Sequence, residues 1–129
     1  MSGGNRRLPG PPPLVCWSDP RRKLPLPPCA CSAQPCNQFG GQEPGSNGEV
    51  KAFAARQGAA FPMLAKGDVN GDKEEPLWTY LKANKGGLLG SDLAWNFTKF
   101  ICDREGKVVK RYGSTTSPRD IEKDILALL

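Results

Sequence analysis

The sequence predicts an α/β domain that is incomplete on its N-terminal side and preceded by a proline-rich arm. Residues 95–112 read as a β-hairpin, and three segments at helical spacing carry helix-start signals. Composition changes sharply at Pro35-Cys36, because nine of the 13 prolines lie in residues 1–35. A chain of 129 residues has room for one domain, which we place at residues 36–129.

The positive charge of the chain is concentrated in the arm. Residues 1–35 hold five basic residues and one acid, whereas residues 36–129 hold 13 basic and 12 acidic residues. The basic balance is therefore poor evidence for a nucleic-acid partner, and we expect none. No apolar run approaches the roughly 20 residues of a membrane span. The first residues lack the apolar stretch of a secretory signal but resemble transit peptides in charge. We expect a cytoplasmic chain, with the mitochondrion as the alternative.

The arm, residues 1–35, is expected to be disordered, because its prolines favour polyproline II and bury little surface. Its segment Arg22–Pro28 fits a basic-x-x-Pro-x-x-Pro pattern, which is typical of SH3-type ligands. The five cysteines show no Cys-x-x-Cys pair, so thiols are favoured over a metal site, and we expect no metal or cofactor. The chain has no histidine, which excludes Ser-His and Cys-His catalysis.

Two helices are predicted in the middle of the chain. Ser46 followed by Glu49 makes a capping box, and Gly58 ends the helix that it starts. After a turn at residues 69–72, a second helix carries Pro76 near its start and is ended by glycines at 86 and 87. The apolar side of the second helix is formed by Leu77, Trp78 and Leu81.

The C-terminal third of the chain predicts a hairpin and a third helix. Asp103–Gly106 supplies the turn, and Val108–Tyr112 the β-branched and aromatic return strand. Ser117 and Pro118 start the last helix. The first strand alternates Phe97, Lys99 and Ile101 on one face with Asn96, Thr98, Phe100 and Cys102 on the other. The buried stripe of the last helix is expected to be Ile121, Ile125, Leu126, Leu128 and Leu129.

The predicted elements leave the sheet short of strands. Two strands alone are marginal, and nothing before Cys36 reads as a strand. The piece 14–17 is short and lies among prolines. We therefore expect that the first strands and the first helix of the domain are absent.

Several motifs now resemble the glutathione peroxidase family, nearest to its phospholipid hydroperoxide type. The resemblance runs from Pro35 to the C-terminus, and it implies a thioredoxin-like fold and a monomer. It also implies reduction of hydrogen peroxide and lipid hydroperoxides by glutathione or another thiol, in the response to oxidative stress. The motifs are Pro35–Gly40, Gln42–Gly45, Val69–Gly71, Trp95–Phe100, Val108–Gly113 and Ile121–Asp124.

The resemblance also implies site residues. In the family, a glutamine, a tryptophan and an asparagine surround the peroxidatic cysteine or selenocysteine; the matching positions here are Gln42, Trp95 and Asn96. Their neutral N–H groups can stabilise a thiolate or selenolate without the full positive charge that would trap it. Arg111 lies where the family has a basic patch that holds acidic substrate or lipid head groups. Without the resemblance, Trp95 would be read as core and Gln42 as solvated.

The nucleophile has no counterpart in this sequence. The family's Asn-Val-Ala-Ser strand end, followed shortly by Cys or selenocysteine and Gly, does not occur, and no resolving cysteine lies in residues 57–69. Cys36 matches a non-peroxidatic position of the family, and Cys102 lies within a strand. We expect a truncated peroxidase whose own activity is uncertain. The alternative is a non-catalytic interaction protein that uses the proline-rich arm.

Overall fold

The fold is a four-stranded mixed sheet with helices on both of its faces. A computed structural model describes residues 31–87 and 90–129, together with the strand backbone at residues 14–16. The elements in chain order are β1 Leu14–Cys16, β2 Cys31–Ala33, α1 Asn47–Arg56, α2 Pro76–Asn84, β3 Lys99–Cys102, β4 Val108–Tyr112 and α3 Pro118–Leu126. No helix in these ranges is long and apolar enough to cross a lipid bilayer.

The sheet has the order β2-β1-β3-β4. β1 pairs antiparallel with β2 and parallel with β3, and β3 pairs antiparallel with β4. The expectation that no strand precedes Cys36 is therefore wrong. Pro13 and Pro20 flank β1 in the sequence without interrupting it, so all three of its residues keep a backbone N–H for the ladder.

The expected disorder of residues 1–35 is wrong for β1 and β2, and also for Gln34 and Pro35, which are buried. Residues 1–13 and 17–30, including the Arg22–Pro28 pattern, lie outside the described residues. The domain boundary at residue 36 stays a prediction, although the sheet runs across it.

The helix ends follow the capping signals in the sequence. Ser46 accepts from the Glu49 backbone N–H while the Glu49 carboxylate accepts from the Ser46 N–H, and Gly58 follows the helix with a φ of 78°. Pro76 occupies the first turn of α2. Ser117 and Asp120 form a second capping box at α3. The three predicted helices are thus confirmed.

α2 and α3 lie on opposite faces of the sheet. Phe100 of β3 pairs with Arg111 of β4, and the Phe100 ring meets the Trp78 ring of α2 edge-on at 6.0 Å. The neighbouring β4 residue, Tyr112, donates its hydroxyl to Asp124 of α3 at 2.5 Å. Because successive strand residues point to opposite faces, the two helices cover different sides. The main cluster of buried apolar residues is Cys36, Phe39, Val69, Trp78, Leu81, Leu93, Phe100 and Val108.

Two details of the C-terminal prediction are wrong. β3 begins only at Lys99, because Asn96 and Phe97 form a turn in which Phe97 has a φ of 65°. The expected stripe of α3 buries Ile121 alone, and Leu126 is 60% exposed. The hairpin turn itself is confirmed, since Gly106 has a φ of 83°.

Candidate functional site

The structure brings Gln42, Trp95 and Asn96 to one place. Asn96 is buried, and its side-chain Nδ2 donates to the Oε1 atom of Gln42 at 3.0 Å. A β-carbon added to Gly40 would lie 3.4 Å from Trp95 Cη2 and 3.6 Å from Gln42 Nε2. The glutamine amide and the indole ring therefore flank the same point beside Gly40.

The Asn96–Gln42 bond determines which way the glutamine amide faces. Because the Gln42 oxygen accepts from Asn96, its nitrogen lies on the side of Gly40 and the Trp95 ring, where its N–H groups make no hydrogen bond to residues 31–87 or 90–129. Trp95 is 46% exposed, and its indole N–H makes no hydrogen bond within residues 31–87 and 90–129. The Gln42 amide N–H groups and the benzene ring of Trp95 thus meet beside Gly40, and the half-exposed indole carries a second uncharged N–H donor.

Two neighbours that the sequence analysis did not select support the tryptophan. The Phe39 ring packs against the Trp95 ring with centroids 5.9 Å apart. The Thr98 hydroxyl donates to the Trp95 carbonyl at 3.2 Å and closes the turn that precedes β3. Phe39 lies in the motif Pro35–Gly40, next to the motif that begins at Gln42, and could have been selected for that reason; nothing in the sequence indicates the role of Thr98.

The charges near this site are held in fixed contacts. Glu43, next to Gln42, is buried, and burial raises the pKa of its carboxyl, an effect that nearby Lys66 opposes. The Lys66 ammonium donates to the Glu43 and Gly45 carbonyls at 3.1 Å and 2.6 Å. This lysine therefore braces the backbone of the loop after Gln42.

Arg111 binds the protein's own backbone. Its guanidinium donates to the Lys85 and Ser91 carbonyls at 3.2 Å and 2.7 Å, and to the Asp92 carbonyl at 2.8 Å. It also lies over the Phe100 ring, 5.4 Å from the centroid. These contacts give Arg111 a structural task in holding the loop before Trp95.

Arg111 and Trp95 also line one cavity of about 370 Å³. The other side of this cavity is the loop at Gly113 and Ser114. The buried Lys99 ammonium holds that loop by donating to the carbonyls of Gly113, Ser114 and Thr116, and its burial lowers its pKa. A substrate role for Arg111 stays a proposal, and the cavity gives it room.

The Cys36 thiol is placed in the core. It is 3% exposed, and its sulfur makes 3.5 Å contacts with the backbone N–H and the side-chain oxygen of Gln38. Burial raises its pKa, and the negative charge of Asp68 acts in the same direction. A buried thiol that stays protonated is a poor nucleophile.

Comparison with known proteins identifies the family. A sequence profile described as "Glutathione peroxidase" matches residues 29–82. The probable phospholipid hydroperoxide glutathione peroxidase of Helianthus annuus is 60% identical over 98 residues, which cover 75% of this chain and 54% of the relative. The chain belongs to the glutathione peroxidase family. Within it, the chain is nearest to the phospholipid hydroperoxide type.

Further relatives and solved structures agree with this assignment. The chloroplastic phospholipid hydroperoxide glutathione peroxidase 1 of Arabidopsis thaliana is 58% identical over 75% of this chain and 42% of its own length. The crystal structure of Trgpx in apo form aligns with a TM-score of 0.63 at 30% identity, covering 90% of this chain and 80% of that one. The fold is thus of the thioredoxin-like class. The chain spans about half the length of the curated relatives that it matches.

Proposed function

We propose that this chain carries the hydrogen-bond donors of a hydroperoxide-reducing site, called the donor site below. In it, Gln42, Trp95 and Asn96 stabilise a peroxidatic thiolate or selenolate. The observation that carries the proposal is the Asn96–Gln42 hydrogen bond, which joins residues 54 apart in sequence and turns the Gln42 amide N–H groups toward the Trp95 side. Fixed neutral donors favour the anion that attacks a peroxide oxygen and cost no reorganisation when it reacts.

The substrates would be hydrogen peroxide or lipid hydroperoxides, with glutathione or another thiol as reductant, in the response to oxidative stress. The names of the relatives support this choice of substrate class. Arg111 would contribute to binding an acidic head group from within the 370 Å³ cavity, using donor capacity that its three carbonyl contacts leave over.

The 129 residues by themselves would be catalytically incomplete. Cys36 is buried with a raised pKa, and the chain has no histidine to activate it. We expect peroxide consumption with glutathione to stay at the rate of a free small-molecule thiol, for both hydrogen peroxide and a phospholipid hydroperoxide. Turnover well above that rate, lost in Cys36→Ser, would show that Cys36 has the peroxidatic role and would overturn this part of the proposal.

The donor site can be tested by supplying the missing nucleophile as a small selenol. With excess glutathione present to return the selenenic acid formed by peroxide to the selenol, selenocysteamine turns over peroxide slowly by itself. With the chain added, we expect this turnover to rise several-fold, because the donors stabilise the selenolate. Trp95→Phe should remove much of the gain, since it keeps a six-membered aromatic ring and deletes the indole N–H together with the fused pyrrole ring. Tyr80→Phe is the matched control, because it deletes a donor from another exposed aromatic residue. Equal turnover with and without the chain would refute the donor site.

An interaction protein is the alternative, carried by the pattern Arg22–Pro28. This segment lies outside the described residues, and the pattern in the sequence is its sole support. Capture by purified SH3 domains, lost in a Pro25→Ala, Pro28→Ala double variant and kept in Pro11→Ala, would favour it. Equal capture of both variants would count against it.

We also propose that the chain is monomeric and cytoplasmic, with the mitochondrion as the alternative compartment. The relatives include chloroplastic and mitochondrial forms. Light scattering coupled to size exclusion tests the oligomeric state, where a mass near 13.9 kDa is expected. Imaging of a C-terminally tagged chain tests the compartment.

A further inference from the structure

The two halves of the proposed donor site are joined by a second connection that lies outside it. Gln38, four residues before Gln42, clasps the backbone of a distant turn. Its Oε1 accepts from the Val69 and Asn70 N–H groups at 2.9 Å and 3.1 Å, and its Nε2 donates to the Asn70 carbonyl at 2.8 Å. One side chain thereby ties the loop that leads to Gln42 to the turn at Asn70.

Asn70 continues the connection with its own side chain. Its Nδ2 donates to the Leu93 carbonyl at 2.8 Å, and its Oδ1 accepts from the Leu93 N–H at 2.9 Å. The amide thus satisfies both backbone groups of a buried residue, as a neighbouring strand would. Leu93 lies two residues before Trp95 and three before Asn96, so this pair of bonds sets where their turn begins.

Lys82 keeps the Asn70 side chain in this orientation. The lysine is buried, and its ammonium donates to Asn70 Oδ1 at 3.2 Å, to Asp92 at 3.0 Å and to Glu74. A cation against Oδ1 fixes the oxygen on that side and leaves the Nδ2 donor for the Leu93 carbonyl. The Asn70 amide is therefore locked in the orientation that holds Leu93.

We infer that Asn70 is a positioning residue for the proposed donor site. It makes no hydrogen bond to Gln42, Trp95 or Asn96, and it acts by fixing the Leu93 backbone against the Gln38 loop. The inference rests on the proposed function for its catalytic meaning, although the contacts stand without it. A displaced Leu93 would carry Trp95 and Asn96 away from Gln42 and weaken the bond between the two amides.

The test compares Asn70→Ala with Asn47→Ala. Asn47 is the matched control, because its Oδ1 also bridges distant backbone, accepting from the Lys66 N–H at 2.7 Å, and it does not hold Leu93. Nuclear magnetic resonance follows the side-chain amides of Asn96 and Gln42 and the indole N–H of Trp95. In Asn70→Ala, the Asn96 amide protons should exchange with water about fivefold faster, the effect of losing one hydrogen bond. Asn47→Ala should leave them unchanged.

A conservative variant separates positioning from a general loss of stability. Asn70→Asp keeps the acceptor for the Leu93 N–H and for Lys82 but loses the donor to the Leu93 carbonyl, so its effect should fall between wild type and Asn70→Ala. If Asn70→Ala does not fold, the Asn96, Gln42 and Trp95 signals of Asn70→Asp are compared with those of Asn47→Ala. A larger change in Asn70→Asp then supports the positioning role. Unchanged Asn96, Gln42 and Trp95 signals in the folded Asn70 variants would overturn the inference.

The selenol assay distinguishes this inference from the proposed function. If wild type accelerates the selenol and Asn70→Ala loses most of that gain while Asn47→Ala keeps it, both are supported. If wild type gives no acceleration, the proposed function fails, and the amide signals still decide whether Asn70 positions the turn. If Asn70→Ala accelerates as well as wild type, Asn70 has no positioning role.

Discussion

The hydrogen bond between Asn96 and Gln42 predicts an energetic coupling that a double-mutant cycle can measure. The variants are Asn96→Ala, Gln42→Ala and the two combined. The bond is 3.0 Å long, and its two ends differ in exposure, because Asn96 is 5% exposed whereas Gln42 is half-buried. This difference determines what each single substitution leaves behind.

The magnitudes follow from that asymmetry. Gln42→Ala leaves the buried Asn96 N–H donor without an acceptor, which should lower the unfolding free energy by about 1–3 kcal/mol. Asn96→Ala leaves an acceptor that water can reach, so the lost bond itself should cost about 0.5–1.5 kcal/mol, with a further contribution from the space left by a buried side chain. The double variant loses the bond only once. We therefore expect the sum of the two single-variant costs to exceed the cost of the double variant by about 1 kcal/mol, which is the coupling energy.

Urea unfolding followed by far-ultraviolet circular dichroism measures these free energies, provided the slopes of the four proteins agree. The control cycle pairs Gln42→Ala with Asn84→Ala, whose side chain bonds the Tyr80 carbonyl within α2 and no other group among residues 31–87 and 90–129. Those two costs should add. A coupling below about 0.3 kcal/mol between residues 42 and 96 would refute the argument that this bond is formed and protected in solution.

Three further outcomes are expected. Trp78→Phe should lower the unfolding free energy by about 2–3 kcal/mol in urea titrations, because it strands the buried Gln34 oxygen that accepts from Trp78 at 2.6 Å; a cost below about 0.5 kcal/mol would contradict this. Hydrogen bonds from Ser117 lower the pKa of Asp120, so the stability that Asp120 gives α3 is complete above the ordinary aspartate pKa of about 4 and is lost as the pH falls through the lowered value. Amide resonances of α3 should show this loss, and an equal acid response in Asp120→Asn would contradict it. Val15→Pro removes a backbone N–H from a central strand and leaves a ladder carbonyl without its donor, which should cost about 1–3 kcal/mol, measured against Val15→Ala; equal stability of the two variants would show that β1 does not hold the sheet together.

The parts of the fold that the sequence predicts are those set by short-range chemistry. Ser46 with Glu49 and Ser117 with Asp120 form their capping boxes from residues three apart, and Gly106 takes the positive φ that its turn needs. Such signals act within one turn of chain and do not depend on distant partners. They could therefore be read without knowing the sheet.

The strands before Cys36 could not be predicted in the same way. β1 has three residues, too few for a periodic pattern, and its stability comes from pairing with β2 and β3 on either side. One of those partners lies more than 80 residues away in sequence, at Lys99. The stripe of α3 failed for a related reason: helical spacing shows which residues share a face, but not whether anything covers that face.

The candidate site shows the same division between composition and geometry. The family resemblance selected Gln42, Trp95 and Asn96 as residue types, and the structure adds their relative orientation, with Asn96 bonded to Gln42 beside the Trp95 ring. That orientation depends on the turn at Phe97, whose φ of 65° is unusual for a residue other than glycine. A continuous strand from Trp95, as the alternation predicted, would have placed Trp95 and Asn96 on opposite faces. The turn instead lets Asn96 bond Gln42 while Trp95 packs on Phe39, so the Gln42 amide and the Trp95 ring both flank Gly40. The backbone strain at Phe97 is offset by hydrogen bonds on either side of the turn, made by Thr98 and Asn70. Because these two residues hold the turn, we expect them to matter as much to the site as the donors themselves.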